Sequence, residues 1–303
     1  MIKTLRIGTR DSELALWQAN TVKEKLEELG YIAELVPVKS TGDLVLDKPL
    51  YELGITGIFT KTLDVAMLNG TVDIAVHSMK DVPTRLPKGI IQTAVLERAA
   101  SEDIIVTKGT VNYAAACTVA TGSLRRKAQW LHQYPNHTMV DLRGNVNTRL
   151  QKLEDNNWQG AIFAKAGLER IHVLPETHTL LDWMLPAPSQ GAMVIVALEN
   201  DAFSIEATSK LNHRASEITT HIERDFLRTL EGGCTAPIGA LAEIVGKKIQ
   251  FKGALFSLNG ETKIEIEKTT SVDTFLDFGK KCATYILENG GKELMQAIKK
   301  EMK

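Results

Sequence analysis

Short apolar runs alternate with longer amphipathic stretches along most of the chain. Leu5 to Gly8 reads as a strand, and Thr9-Arg10-Asp11-Ser12 then opens a helix that Asp11 or Ser12 caps. Ala15, Ala19, Val22, Leu26 and Leu29 recur at helical spacing, and Gly30 is placed to end the helix. Tyr31 to Val38 is the next strand, which makes a βαβ unit and a parallel sheet. A helix over about Thr60 to Leu68 leads into Asp73-Ile74-Ala75-Val76-His77, a buried strand that runs on into Ser78-Met79-Lys80-Asp81-Val82-Pro83. Pro83 cannot continue a ladder and biases Val82 to an extended shape, which puts Lys80 and Asp81 in a loop at a strand's carboxyl end. Ligands of open α/β sheets bind at that edge.

Ile90 to Val95 is a further strand, and the pattern restarts near Glu97-Arg98. Strands are predicted over Asp103 to Thr107, Cys117 to Ala120, Val140 to Leu142 and Ala161 to Ala164. The helices between them carry Leu124, Ala128 and Leu131, and then Thr148 to Leu153. Pro186-Ala187-Pro188 is hinge-like, and the buried strand Met193 to Leu198, left without a unit of its own, is expected to return to the first sheet. The tail differs: a helix over about Ser216 to Leu230 is followed by strands at Leu241 to Val245, Ile249 to Leu258 and Thr262 to Lys268. Asn259-Gly260 signals a type I′ hairpin between the last two strands, and a final helix covers Val272 to Asn289. The expected architecture is two α/β units and a small α+β domain, with no internal repeat visible.

Composition narrows the function. The chain has 303 residues, more than one ordinary core, and its 36 Lys and Arg nearly balance 37 Asp and Glu. A net charge of -1 disfavours nucleic acid or an anionic membrane as bulk partner. No apolar run approaches the ~20 residues of a membrane span, and Met1 to Ile7 has no signal-peptide pattern, so a cytoplasmic location is expected. Three widely spaced cysteines, Cys117, Cys234 and Cys282, fit neither a disulfide framework nor a structural zinc site. The seven histidines show no metal-ligand spacing, and no phosphate-binding glycine fingerprint follows the first strand.

Two features point to chemistry. Arg125 and Arg126 occupy the first turn of a helix, where cations oppose the macrodipole and a bound anion would offset the cost. The bland alternative is that both side chains reach water. Arg10, Arg143, Arg149 and Arg170 also fall at loops or helix starts after predicted strands, and guanidinium suits bidentate carboxylate recognition, so the set suggests a ligand with several carboxylates. Cys234 follows Glu231-Gly232-Gly233 at a helix end, where glycines can expose the thiol for covalent attachment. Cys117 and Cys282 fit buried packing instead.

Together these residues resemble the hydroxymethylbilane synthase, or porphobilinogen deaminase, family. The matching stretches are Arg6-Ile7-Gly8-Thr9-Arg10 with Ser12 and Leu14 to Gln18, Ala75 to Pro83, and Ser123-Leu124-Arg125-Arg126. They continue through Leu142-Arg143-Gly144-Asn145-Val146, Thr148-Arg149-Leu150, Ala166-Gly167-Leu168 with Arg170, and Glu231-Gly232-Gly233-Cys234. The resemblance implies two α/β domains similar to periplasmic binding proteins, joined by a hinge, plus a small C-terminal α+β domain. The corresponding boundaries are 1-96 with 191-212, then 97-190, then 213-303. It implies a transferase that joins four porphobilinogens head to tail, with loss of ammonia, on a dipyrromethane cofactor held by a thioether to Cys234. Asp81 matches the family's catalytic carboxylate. Matches to Lys80, Arg125, Arg126, Arg149, Thr121, Ser123 and Asp43 surround the cofactor, and matches to Arg10, Ser12, Gln18, Arg143 and Arg170 surround the growing chain. No metal, nucleic acid or membrane partner is implied, and a monomer is expected.

Some positions depart from the family pattern. Ile55 and Thr56 replace a Gly and a Lys, Gly122 replaces a Ser, Ser189 replaces a Gly, and Ala99-Ala100-Ser101 replaces an acidic-Pro-Arg segment. Lys39-Ser40-Thr41-Gly42-Asp43 keeps Gly-Asp but alters what precedes it. The main rival reading is a two-lobed module that captures a polycarboxylate without turnover, which leaves Cys234 and the third domain unexplained. An effector-binding regulator lacks a DNA-binding segment.

Overall fold

A computed structural model of the chain describes residues 3–39, 60–230 and 236–302. The elements in the first part are β1 (Thr4–Thr9), α1 (Glu13–Glu28), β2 (Ile32–Pro37), α2 (Lys61–Leu68), β3 (Ile74–Ser78) and β4 (Ile90–Val95). There follow β5 (Asp103–Thr107), β6 (Thr118–Ala120), α3 (Leu124–Gln133), β7 (Thr138–Val140), α4 (Val146–Asp155), β8 (Gly160–Ala164), α5 (Lys165–Glu169) and β9 (His178–Leu180). The remainder comprises β10 (Met193–Leu198), α6 (Ala202–Ser209), α7 (Arg214–Thr229), β11 (Ile238–Val245), β12 (Lys248–Phe256), β13 (Lys263–Ser271), α8 (Phe278–Ile286) and α9 (Lys292–Glu301). The described residues divide into two compact units, 3–39 with 60–99 and 191–217, and 100–190 with 218–230 and 236–302.

The first unit is built on a five-stranded sheet of order β2-β1-β3-β10-β4, with β1 parallel to β2 and β3 and β10 antiparallel to its neighbours. Alternation along the strands sorts the core. Leu5, Ile7, Ile74 and Val76 face Ala19, Val22 and Leu26 of α1, whereas Ala75, Val194 and Val196 face Leu63 and Met67 of α2. Arg6 pins β1 to the start of β3: its Nε and Nη2 donate to Asp73 at 3.0 and 2.8 Å. Met193–Leu198 returns to this sheet, as its lone apolar run predicted.

The second unit repeats that plan. Its mixed sheet has the order β7-β6-β8-β5-β9, with β6 parallel to β7 and β8 and β5 antiparallel to β8 and β9. Position for position this is the first sheet again, and in each sheet one strand comes from beyond a chain crossing. The expected absence of an internal repeat is therefore corrected. The repeat resides in strand pairing, and segments as short as the three residues of β6 leave no periodic trace. The same unit holds an antiparallel sheet, β11-β12-β13, covered by α7, α8 and α9 through Ile222, Phe226, Phe251, Cys282, Ile286 and Ile298. The expected fold class holds: two α/β sheets of one topology and a C-terminal α+β element.

Other local expectations change. The loop after β12 is not a type I′ turn, because Gly260 has φ +78° while Asn259 does not take a positive φ. Ser257 and Gly260 instead close a turn, and Gly260 lies so close to the backbone of Ala128 and His132 that a Cβ would collide there. Tertiary contact overrides the local Asn-Gly preference. The final helix starts at Phe278 rather than Val272 and ends near Asn289 as expected, with Gly290 at φ +97°; the further helix α9 beyond it is not predicted. The edge strand β9 and helix α6 were not foreseen. Cys117 and Cys282 are buried, as expected of packing thiols, and burial pushes the Cys282 thiol up to about 11. No helix among the described residues is long and apolar enough to cross a membrane.

Candidate active site

In the first unit β1 lies between β2 and β3, and in the second β6 lies between β7 and β8, so chain direction diverges at the carboxyl ends of β1 and β6. That switch point is where open sheets bind ligands. In the first unit it gathers Arg10 and Ser12, which follow β1, and Lys80 and Asp81, which follow β3. Ser12 is the N-cap residue of α1 in extended conformation, yet its hydroxyl makes no cap hydrogen bond. Residues 79–81 form a single 3₁₀ turn after β3, tied down where Met79 N–H donates to the Ala192 carbonyl at 3.0 Å. Gln18, buried on α1, donates from Nε2 to Ser78 Oγ at 2.8 Å, so helix and turn are fastened together. Lys80 and Asp81 are half-buried, and among the described residues the Asp81 carboxylate has no hydrogen bond or ion pair.

His77 sits beneath this turn. Arg10 lies near enough for its charge to act on it, and Val194 of β10 lies opposite. Burial and then the Arg10 charge lower its pKa to about 4, so the imidazole is neutral at physiological pH. The sequence alone gives His77 no role. An imidazole closing a buried apolar strand was the available signal.

In the second unit the carboxyl ends of β6, β7 and β8 bring together Thr121, Ser123, Arg143, Arg149 and Arg170. Thr121 is buried, and its hydroxyl accepts from Ser123 N–H at 3.3 Å. Ser123 caps α3, with Oγ accepting from Arg126 N–H at 3.4 Å. Gly122 passes so near β7's exit that a Cβ would lie 2.5 Å from the Leu142 carbonyl oxygen. Arg149 donates from Nε to the Gly144 carbonyl at 2.8 Å, across a turn in which Gly144 has φ +115°. Arg143 and Arg170 are buried, and desolvation lowers both pKa values, that of Arg170 to about 10; Asp141 and Glu169 offset this only in part.

Arg125 and Arg126 do not reach water. Both are buried against Asp103, itself 0% exposed: Arg125 Nη1 donates to Oδ2 at 2.7 Å and Arg126 Nε to Oδ1 at 3.0 Å. The anion that offsets their place in the first helical turn is thus, in the first instance, the protein's own. Burial pushes the Asp103 carboxyl up, but the charges of Arg125 and Arg126 and their hydrogen bonds hold it well below the usual carboxylate range. Asp103 and its third partner Gln190 were missed as site residues. A carboxylate opening the apolar run Asp103-Ile104-Ile105-Val106 requires a buried cation, and that was the signal. Asp43 and Cys234 lie outside the described residues.

Comparison with known proteins decides the family. A family model described as porphobilinogen deaminase, dipyromethane cofactor binding domain, matches residues 5–206, and one for the porphobilinogen deaminase C-terminal domain matches 218–288. The chain belongs to the porphobilinogen deaminase family. Relatives of that name include the protein of Pelobacter propionicus, 38% identical over 98% of this chain and 97% of its own, and that of Campylobacter hominis, 40% identical over 96% and 97%. Family membership sets aside the module that binds without turnover. The donor set fits a dipyrromethane, whose acetate and propionate groups call for several cations. Among the residues matched to the cofactor, Arg125 has a buried Nε with no hydrogen-bond partner among the described residues.

Proposed function

We propose that the first unit carries the chemistry of porphobilinogen condensation, on Asp81, while the arginines of the second unit hold carboxylates of cofactor and product. The activity is that of the family: four porphobilinogens are joined head to tail, each losing ammonia, to give the linear tetrapyrrole hydroxymethylbilane. The dipyrromethane cofactor, when bound, supplies the primer for that chain. Thr121, Ser123, Arg125, Arg126 and Arg149 would hold it, and Lys80, Asp43 and Cys234 complete the reading, Cys234 as the covalent attachment. Arg10, Ser12, Gln18, Arg143 and Arg170 would serve the substrate and the growing chain.

The observation that carries the reading is the state of Asp81. It is a half-buried carboxylate at a strand end, with no partner of its own among the described residues, on a turn fastened by Ser78 and Met79. As ammonia leaves porphobilinogen, positive charge develops on the pyrrole, and a carboxylate held in a partly desolvated place attracts it by Coulomb force. The same carboxylate can accept the proton that the new bond displaces. The three separate sheets support a reading with three domains bounded at 1-96 with 191-212, 97-190 and 213-303. A monomer in the cytoplasm belongs to the same proposal, and native mass measurement tests the first part.

Asp81→Asn, assayed for conversion of porphobilinogen to hydroxymethylbilane, tests the central role. Turnover should fall by at least ~10³-fold with the melting temperature unchanged, since no internal bond is lost. Near-normal turnover would remove Asp81 from the mechanism.

A further inference from the structure

The buried cluster around Asp103 is more specific than a salt bridge needs to be. Arg126 has all three of its nitrogens engaged: Nε and Nη2 on Asp103 Oδ1 at 3.0 and 2.8 Å, and Nη1 on the Ile162 carbonyl at 3.0 Å. Arg125 is used differently. Its Nη1 alone donates to both Asp103 Oδ2 and the Leu185 carbonyl, at 2.7 and 2.6 Å, and its buried Nε has no hydrogen-bond partner. Gln190 Nε2 donates to Asp103 Oδ1 at 2.9 Å and to the Ser101 carbonyl at 2.7 Å. Both carboxylate oxygens are thereby engaged, and the carboxylate cannot rotate without breaking several bonds. Within this cluster the described residues set two buried guanidiniums against one buried carboxylate, an excess of one positive charge.

We propose that Asp103 is a positioning residue for anion capture: it fixes Arg126 as a strut and aims Arg125, whose remaining N–H groups take a carboxylate of the cofactor. The inference rests on the cofactor reading above. Asp103 touches no ligand in this account and acts through Arg125. The excess positive charge gives the cluster its preference for an anionic partner, and the fixed planes of the two guanidiniums give it direction. Without the carboxylate the arginines would repel each other, and Arg125 would lose the bond that sets its angle.

The test is the rate at which cofactor-free protein gains the mass of two linked pyrroles when incubated with preformed hydroxymethylbilane, read by intact mass spectrometry. Asp103→Asn is compared with Ile249→Ala, a core truncation elsewhere in the same unit, the temperatures being chosen so that both are equally folded. Asp103→Asn should load about ten- to a hundred-fold more slowly, while Ile249→Ala loads at the wild-type rate. Asp103→Glu, which keeps the charge one methylene further out, should fold at higher temperature than Asp103→Asn and load at an intermediate rate. Asp103→Asn loading as fast as wild type would overturn the proposal, as would equal slowing in Ile249→Ala. If Asp103→Asn does not fold, Asp103→Glu loading at the wild-type rate overturns it. Wild-type protein that takes up no such mass would instead remove the cofactor reading itself.

Discussion

Gln18 Nε2 donates to Ser78 Oγ at 2.8 Å, joining the helix that follows β1 to the last residue of β3. Two features of the candidate site, the Arg10-Ser12 corner and the Lys80-Asp81 turn, therefore share one buried bond. Gln18→Leu should cost roughly 1–3 kcal/mol in thermal unfolding, because a buried amide is lost and a hydroxyl is left without its partner. It should also lower kcat more than the loss of stability explains, because the turn bearing Asp81 loses its tether. Unchanged kcat with lowered stability would show that the bond is only structural.

Ser189 offers a prediction of the opposite sign. It takes φ +66°, is wholly buried, and has a hydroxyl without a hydrogen-bond partner, while its N–H donates to the buried Glu223 carboxylate at 2.6 Å. The backbone bond needs no side chain. Ser189→Gly relieves the left-handed conformation and removes an unsatisfied hydroxyl, so it should stabilise the protein by about 1–2 kcal/mol, checked by calorimetry. Stability equal to or below that of wild type would contradict this.

Acidification should act on two buried groups of the first unit in opposite directions. His77 is held neutral down to about pH 4 by burial and by Arg10, whereas the unfolded chain takes up a proton near 6.5, so its contribution is lost as pH falls from 6.5 to 4. Burial raises the Asp64 carboxyl to about 6, against a bond from Thr60 that partly offsets it, so the folded state gains protons first and stability rises as pH falls from 6 to 4. Denaturant unfolding at pH 6.5 and 4.5 should show Asp64→Asn losing more stability on acidification than wild type, and His77→Gln losing less. The reverse order would contradict both assignments.

The sequence made the position of the site legible and its internal wiring less so. Asp81 could be placed because Pro83 ends the strand within a few residues, and Arg143 and Arg170 because each follows a short apolar run. The partner of Arg125 and Arg126 could not be named: Asp103 lies 22 residues before Arg125, and only pairing of β5 with β8 brings it under α3. Helical spacing favoured a solvent or ligand role for these arginines, and a tertiary contact claimed them first. The far side of Gly290 shows a different limit. The expected final helix does stop near Asn289, where Gly290 takes φ +97°, but α9 beyond it is not predicted, because Asn-Gly reads as a terminal helix cap.

The most direct test of the account is the intact mass of the purified protein beside that of Cys234→Ser. The account predicts an added mass of two linked pyrroles on the wild type and none on the variant. A bare polypeptide mass for the wild type, unchanged after incubation with porphobilinogen or preformed hydroxymethylbilane, would contradict it.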